Sequence, residues 1–192
     1  MSKYDLTTQK KKAAIIRAAL MLFSQKGLAA VNMKELATSA DVSQASIYNY
    51  FGSKEGVVAA CVSEMLKKTE ADALELLQQN KPFYQKLEQS LIICSQDMGL
   101  AISKAFSQTA LEDKSLYDLV VQSANQIKRG IYERYIEMGR AQGALDATIP
   151  TEIYLLFIDA VNTVGESAVF MENISENTDY IHQLVLHGLL GT

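Results

Sequence analysis

The chain has 192 residues, 48% hydrophobic and 21% charged, a balance that suits a globular protein with a sizeable core and excludes a disordered segment. Two prolines, no tryptophan and abundant Ala, Leu, Gln, Glu and Lys point to an all-α protein. The net charge of −4 is unevenly spread: residues 1–56 hold eight basic and four acidic side chains, the remainder ten basic and eighteen acidic, so a basic head precedes an acidic body.

In chain order, Ile15, Ala18, Ala19, Leu22 and Phe23 line one face of a first helix, which Gly27 stops. Asn32 is placed to cap a second helix, with Glu35 three residues on to close a capping box. Leu36, Ala37 and Ala40 form its apolar stripe. Asp41 occupies the tight turn that follows, being more tolerant of left-handed backbone than most residues, and Val42 is expected in the core behind it. Ser43 caps a third helix whose Ile47 and Phe51, four apart, face inward. Gln44, Ala45, Ser46, Tyr48, Asn49 and Tyr50 then point outward. A helix meant only for solvent would carry Glu and Lys there, whereas these amide, hydroxyl and phenol groups hydrogen-bond base edges and phosphates. Gln44, Ser46 and Asn49 are expected at bases and Ala45 at a thymine methyl, while Lys34 and Lys54 suit phosphates. The Lys10–Lys12 run fits phosphate contact or a solvated helix start equally well.

Ser53 caps a long fourth helix that carries Val57, Val58, Cys61, Met65 and Leu66 inward. Pro82 opens a fifth, with Leu87, Leu91, Ile92 and Cys94, and a break near Met98 and Gly99 precedes a short piece with Ile102 and Phe106. A long helix with Leu119, Val120, Ile127, Ile131, Tyr135 and Met138 at three- and four-residue spacing ends before Gly143 and Pro150. Two further helices complete a predicted set of about nine. No apolar run approaches the roughly 18 residues of a membrane span, and no signal segment follows the N-terminus, so a cytoplasmic location without membrane contact is expected.

Enzyme chemistry finds no footing. There is no phosphate loop, dinucleotide turn or nucleophile elbow, and no cofactor or metal site. His182 and His187 are five apart and share no helix face, while Cys61 and Cys94 read as lone buried thiols.

Residues 32–54 resemble the DNA-binding domain of TetR-family transcriptional regulators. The family pattern is a polar cap, a basic residue two later, Leu/Ile-Ala, a Gly-Val turn, a Ser cap, Leu-Tyr-x-Tyr/His-Phe and a following Lys. Here those places hold Asn32, Lys34, Leu36-Ala37, Asp41-Val42, Ser43, Ile47-Tyr48-Asn49-Tyr50-Phe51 and Lys54, with Asp41 departing from the usual glycine. The resemblance implies a three-helix DNA-binding domain over residues 1–52 and a helical effector-binding and dimerising domain over 53–192. It implies a homodimeric repressor that a small molecule releases from a palindromic double-stranded operator.

In the body, Cys61, Met65, Tyr84, Leu91, Met98, Phe106, Ile127, Tyr132, Tyr135 and Met138 mix apolar, soft and phenolic groups, suited to an apolar or aromatic effector or simply to core packing. Lys128, Arg129 and Arg134 are candidates for an anionic ligand or for solvent. Tyr154, Ile158, Val161, Val164 and Ala168 form one apolar stripe, and Ile181, Leu184, Val185 and Leu189 a second. Paired about a two-fold axis, as in the family, the two helices would make a four-helix bundle; the alternative is burial of both stripes within one chain. Two other readings stand beside the repressor: a DNA-bound factor that works through another protein without an inducer, and a helical protein whose motif is coincidental.

Overall fold

The structure, a computed structural model, describes residues 3–164 and 174–190. The described residues are helical, with no strand. The elements are α1 (Lys3–Ala30), α2 (Met33–Ser39), α3 (Gln44–Phe51), α4 (Lys54–Gln78), α5 (Phe83–Ile92), a π-helical turn (Ile93–Asp97), α6 (Met98–Ala105), the single turn α7 (Gln108–Leu111), α8 (Lys114–Ala141), α9 (Thr151–Val164) and α10 (Ile174–Leu190). The predicted break near Met98 is the π turn that joins α5 to α6.

The chain packs as two compact units, one of residues up to 68 with 97–127, the other of 69–96 with 128 onward. Helices α4 and α8 each contribute residues to both. In the first unit α1 lies on α2 and α7, burying Ile15, Ala18, Ala19, Leu22 and Phe23 as their spacing predicts. Residues 5–30 are long and apolar enough by composition to span a membrane. That apolarity is explained by the buried face of a core helix, with Lys10, Lys11, Arg17 and Lys26 exposed. In the second unit α10 packs on α5 and α9. There the buried Lys86 ammonium donates to the Leu77 carbonyl at 2.9 Å, satisfying an orphan acceptor at the end of α4.

Two side chains from far along the sequence anchor the end of α1. Gly27 (φ 73°) breaks the helix in a conformation that favours glycine, and a short turn follows it. The Leu28 and Ala29 amides donate to Asp113 Oδ2 at 2.8 and 2.9 Å, while the Ser115 and Leu116 amides donate to its Oδ1 at 3.0 and 3.2 Å. One carboxylate thus caps α8 and the turn after Gly27 together. The Ala29 hydrogen bond, followed by those from Leu116, Leu28 and Ser115, holds the Asp113 carboxyl below its ordinary pKa against a partial desolvation. Ser107 adds a bond from its hydroxyl to the Ser24 carbonyl at 2.6 Å.

Candidate nucleic-acid interface

The helix-turn-helix forms as its caps dictate. Asn32 Oδ1 accepts the Glu35 amide at 2.8 Å, and Ser43 Oγ accepts the Ser46 amide at 3.1 Å. The capping box is half closed, because the Glu35 carboxylate pairs with Lys26. Asp41 takes φ 52°, as its place in the turn requires, and Val42 is only half-buried. On α3, Ile47 is fully buried and Phe51 partly so. Gly52 (φ 76°) closes α3, and the Ser53 hydroxyl caps α4 by accepting the Gly56 amide at 3.1 Å. The same hydroxyl lowers the Glu55 carboxyl pKa. A Cβ on Gly56 would stand 2.0 Å from the Phe51 carbonyl oxygen, so the α3–α4 junction admits no side chain there.

This scaffold exposes Gln44, Ala45, Tyr48 and Asn49 on one short helix. Lys34 is exposed on α2, and Lys54 is half-buried at the start of α4. Two predicted contacts are partly engaged within the chain. The Ser46 and Ser43 hydroxyls are hydrogen-bonded at 2.9 Å. The half-buried Tyr50 ring meets Phe51 edge-on at 6.4 Å and carries the Lys12 ammonium 5.7 Å from its centroid. Lys12 is thereby brought to the recognition helix, and Lys11 lines a shallow recess with Thr38, Asp41, Ser43 and Ser46. Thr38 escaped the sequence reading. It is exposed one turn beyond Lys34 and lines both this recess and a second one with Asn32, Lys34 and Ser39. The signal for it was the four-residue spacing from Lys34.

The predicted effector residues divide between the units. Cys61, Met65, Met98, Phe106 and Ile127 belong to the first and Tyr84, Leu91 and Tyr135 to the second. Cys61, Leu91, Met98, Phe106 and Tyr135 are buried, and Met65 and Ile127 partly so. Tyr84 is corrected to a surface residue: its ring is half exposed and its phenol accepts a bond from Gln85, because Phe83 takes the inward position beside it. Burial raises the Cys61 thiol pKa to about 12, so the thiol is unreactive packing. Tyr135 donates to the Ala73 carbonyl at 2.7 Å.

The predicted association stripe on α9 turns inward. Tyr154 and Ile158 are about as buried as any core residue, at 4% and 5% exposure, and so is Val185 on α10. Val161 and Ile181 are half-buried. Ala168 and the Val164 side chain lie outside the described residues. Among the described side chains of these two helices, the large apolar groups left exposed are Ile153, Leu156 and Phe157 on α9 and Tyr180 and Leu184 on α10, the last 66% exposed.

A capped helix-turn-helix that presents a short uncharged polar helix, on an otherwise all-helical chain, defines a helix-turn-helix DNA-binding protein. The profile of the bacterial regulatory proteins of the tetR family matches residues 15–61, so this segment carries the DNA-binding domain of that family. The chain is 39% identical over 64 residues to the HTH-type transcriptional regulator BetI of Rhizobium meliloti (strain 1021), a match covering 33% of this chain and 32% of that one. The alignment thus spans about a third of that relative's length. A longer match, 25% identical over 142 residues and covering 73% and 74% of the two chains, is to the uncharacterized HTH-type regulator YhgD of Bacillus subtilis (strain 168). The whole fold is similar to that of RolR in complex with resorcinol (TM-score 0.62, 12% identity, 96% and 90% coverage). It is also similar to that of the fatty acid degradation regulator FadR of Bacillus halodurans (TM-score 0.57, 18% identity, 92% and 98% coverage).

Proposed function

We propose that the chain is a cytoplasmic, homodimeric transcriptional repressor that a small apolar or aromatic effector releases from a palindromic operator. The observation that carries the reading is the exposed face of Gln44, Ala45, Tyr48 and Asn49, held rigid by caps at both ends of the turn. Helix α3 would enter the major groove of one half-site, with Gln44 and Asn49 reading bases and Tyr48, Tyr50, Lys34 and Lys54 on the backbone. Ser46 and Ala45 complete the contact, and Lys11 and Lys12 extend it along the phosphates. No arginine lies on α3, so guanine reading from that helix is weak.

Dimerisation is proposed through α9 and α10, now by the exposed face of Ile153, Leu156, Phe157, Tyr180 and Leu184. A two-fold contact there would set the separation of two heads about one helical turn of DNA, 34–36 Å, apart. The functional division at residue 52 is kept as a proposal: the head reads DNA, and residues from 53 onward bind effector and partner. Effector binding is proposed in the second unit, among Leu91, Tyr132 and Tyr135. Support comes from RolR, whose structure contains a small phenol. An effector biases DNA binding only through different affinities for the two states, and α4 and α8, which run through both units, are the elements available to carry that bias.

The test is selection of an operator from random duplexes, followed by titration of the complex with compounds that stabilise the free protein. Release from the operator, with reciprocal weakening of effector binding by DNA, is expected. Compounds that bind tightly yet never move operator affinity would replace this reading with that of a DNA-bound protein-interaction factor.

A further inference from the structure

Three acidic side chains lie between residues 32 and 56, and two of them are engaged within the chain. Glu35 pairs with Lys26, and Glu55 is hydrogen-bonded to the Ser53 hydroxyl at the start of α4. Asp41 is the exception. Its side chain is exposed, and its carboxylate has no hydrogen-bond or ion-pair partner among the described residues. The turn does not employ it either. Aspartate commonly supports a left-handed backbone by bonding its own side chain to nearby amides. Here the Asp41 and Val42 amides donate instead to the Thr38 and Ala37 carbonyls at 3.3 and 3.0 Å, and Ser43 supplies the cap of α3. Glycine would meet φ 52° without strain.

The place of this carboxylate gives it a use. Asp41 lines the shallow recess with Lys11, Thr38, Ser43 and Ser46, and so stands beside the first turn of α3. A recognition helix meets base edges with its N-terminal residues. The surrounding surface offers Lys11 and Lys34 to phosphates, and a negative charge there weakens binding to any DNA. Lys11 does not offset it by an ion pair, although it lines the same recess. The charge is favourable only against a donor. In the major groove guanine presents N7 and O6 and thymine presents O4, all acceptors that repel a carboxylate. Adenine sets its N6 donor beside the N7 acceptor, whereas cytosine offers the N4 amino group alone. A carboxylate thus selects cytosine by attraction and rejects guanine and thymine by repulsion.

We propose that Asp41 is a specificity-determining residue that accepts a hydrogen bond from cytosine N4 at the edge of each half-site, next to the base pair met by Gln44. This assignment rests on the DNA-binding reading above, and the experiment keeps the two separable.

Operators are selected from random duplexes by the full-length wild type, Asp41→Gly and Asp41→Asn. Affinities are then measured at one salt concentration for the wild-type operator with each base pair replaced in turn. The wild type should prefer cytosine at one position per half-site by about 5–30-fold over guanine or thymine, the lower part of the range for a base contact. Asp41→Gly should lose that preference and bind unrelated DNA more tightly, because a repelling charge is gone. Asp41→Asn should exchange cytosine for adenine at the same position, since a side-chain amide pairs with adenine N6 and N7. Both variants should melt at or above the wild-type temperature, as glycine and asparagine suit the left-handed turn. If the wild type selects an operator and both variants keep its preference at every position, the proposal is overturned. An effect equal for operator and random DNA overturns it too, leaving Asp41 only its charge. Variants that melt well below wild type would show the carboxylate to be serving the turn, with the same consequence. A wild type that selects no sequence removes the DNA-binding reading, and this assignment with it.

Discussion

Replacing Asp113 probes the joint between the end of α1 and the start of α8. In Asp113→Ala, α8 loses its cap, worth about 1 kcal/mol. The Leu28 and Ala29 amides lose a charged acceptor, each worth about 0.5–1 kcal/mol once the carboxylate's solvent exposure is discounted. The total is about 2–3 kcal/mol, which for a chain of this size lowers the melting temperature by about 5–10 °C. Asp113→Asn keeps one acceptor oxygen and should lose about half as much. Because backbone donors depress the folded carboxyl pKa, the carboxylate's contribution is fully present above its unfolded value near 3.9 and disappears as pH falls through the folded one. The gap between wild type and Asp113→Asn should therefore be constant from about pH 5 to 8 and close below about pH 4. Amide exchange at Leu28 and Ala29 should accelerate in either variant, while that at Phe23 stays slow. An unchanged melting temperature together with unchanged exchange at Leu28 and Ala29 would refute this account.

Lys54→Ala should weaken binding to every DNA sequence and reduce the salt slope by about one phosphate contact, whereas Gln44→Ala and Asn49→Ala should shift sequence preference at about 1–3 kcal/mol each; competition binding at several salt concentrations separates the two behaviours, and an unchanged slope removes Lys54 from the interface. Leu156→Glu and Leu184→Glu should each leave a folded monomer in sedimentation and collapse operator affinity, since two half-sites are no longer engaged together. Val161→Glu, on a half-buried position, should cost stability as well; folded dimers of the Leu156 and Leu184 variants would move the association face elsewhere.

The head was legible because its determinants are local. Caps at Asn32, Ser43 and Ser53 act within three residues, and the left-handed Asp41 could be placed from its position between two short helices. Glu35 escaped because its partner, Lys26, lies on another helix. Helix α9 was harder: Ile153 through Ile158 is an unbroken apolar run, so periodicity offers two neighbouring stripes and cannot say which turns inward. The core took Tyr154, Leu155 and Ile158 and left Ile153, Leu156 and Phe157 outside. Tyr84 was misplaced by a single step around its helix. Asp113 was invisible as an anchor, since the amides it accepts lie some 85 residues earlier.

The bonds from Ser107 and Asp113 to the end of α1 also bear on how operator preference can change over time. A fragment cut after residue 52 would carry Ser24, Leu28 and Ala29 into a new host without the residues that satisfy them. The unit that holds together needs two separated stretches of sequence, so one recombination crossover cannot transplant a working head between distant relatives. Exposed positions on α3, by contrast, touch no distant stretch through any such bond. New target sites are then reached most readily by stepwise replacement of Gln44, Tyr48 and Asn49 in place.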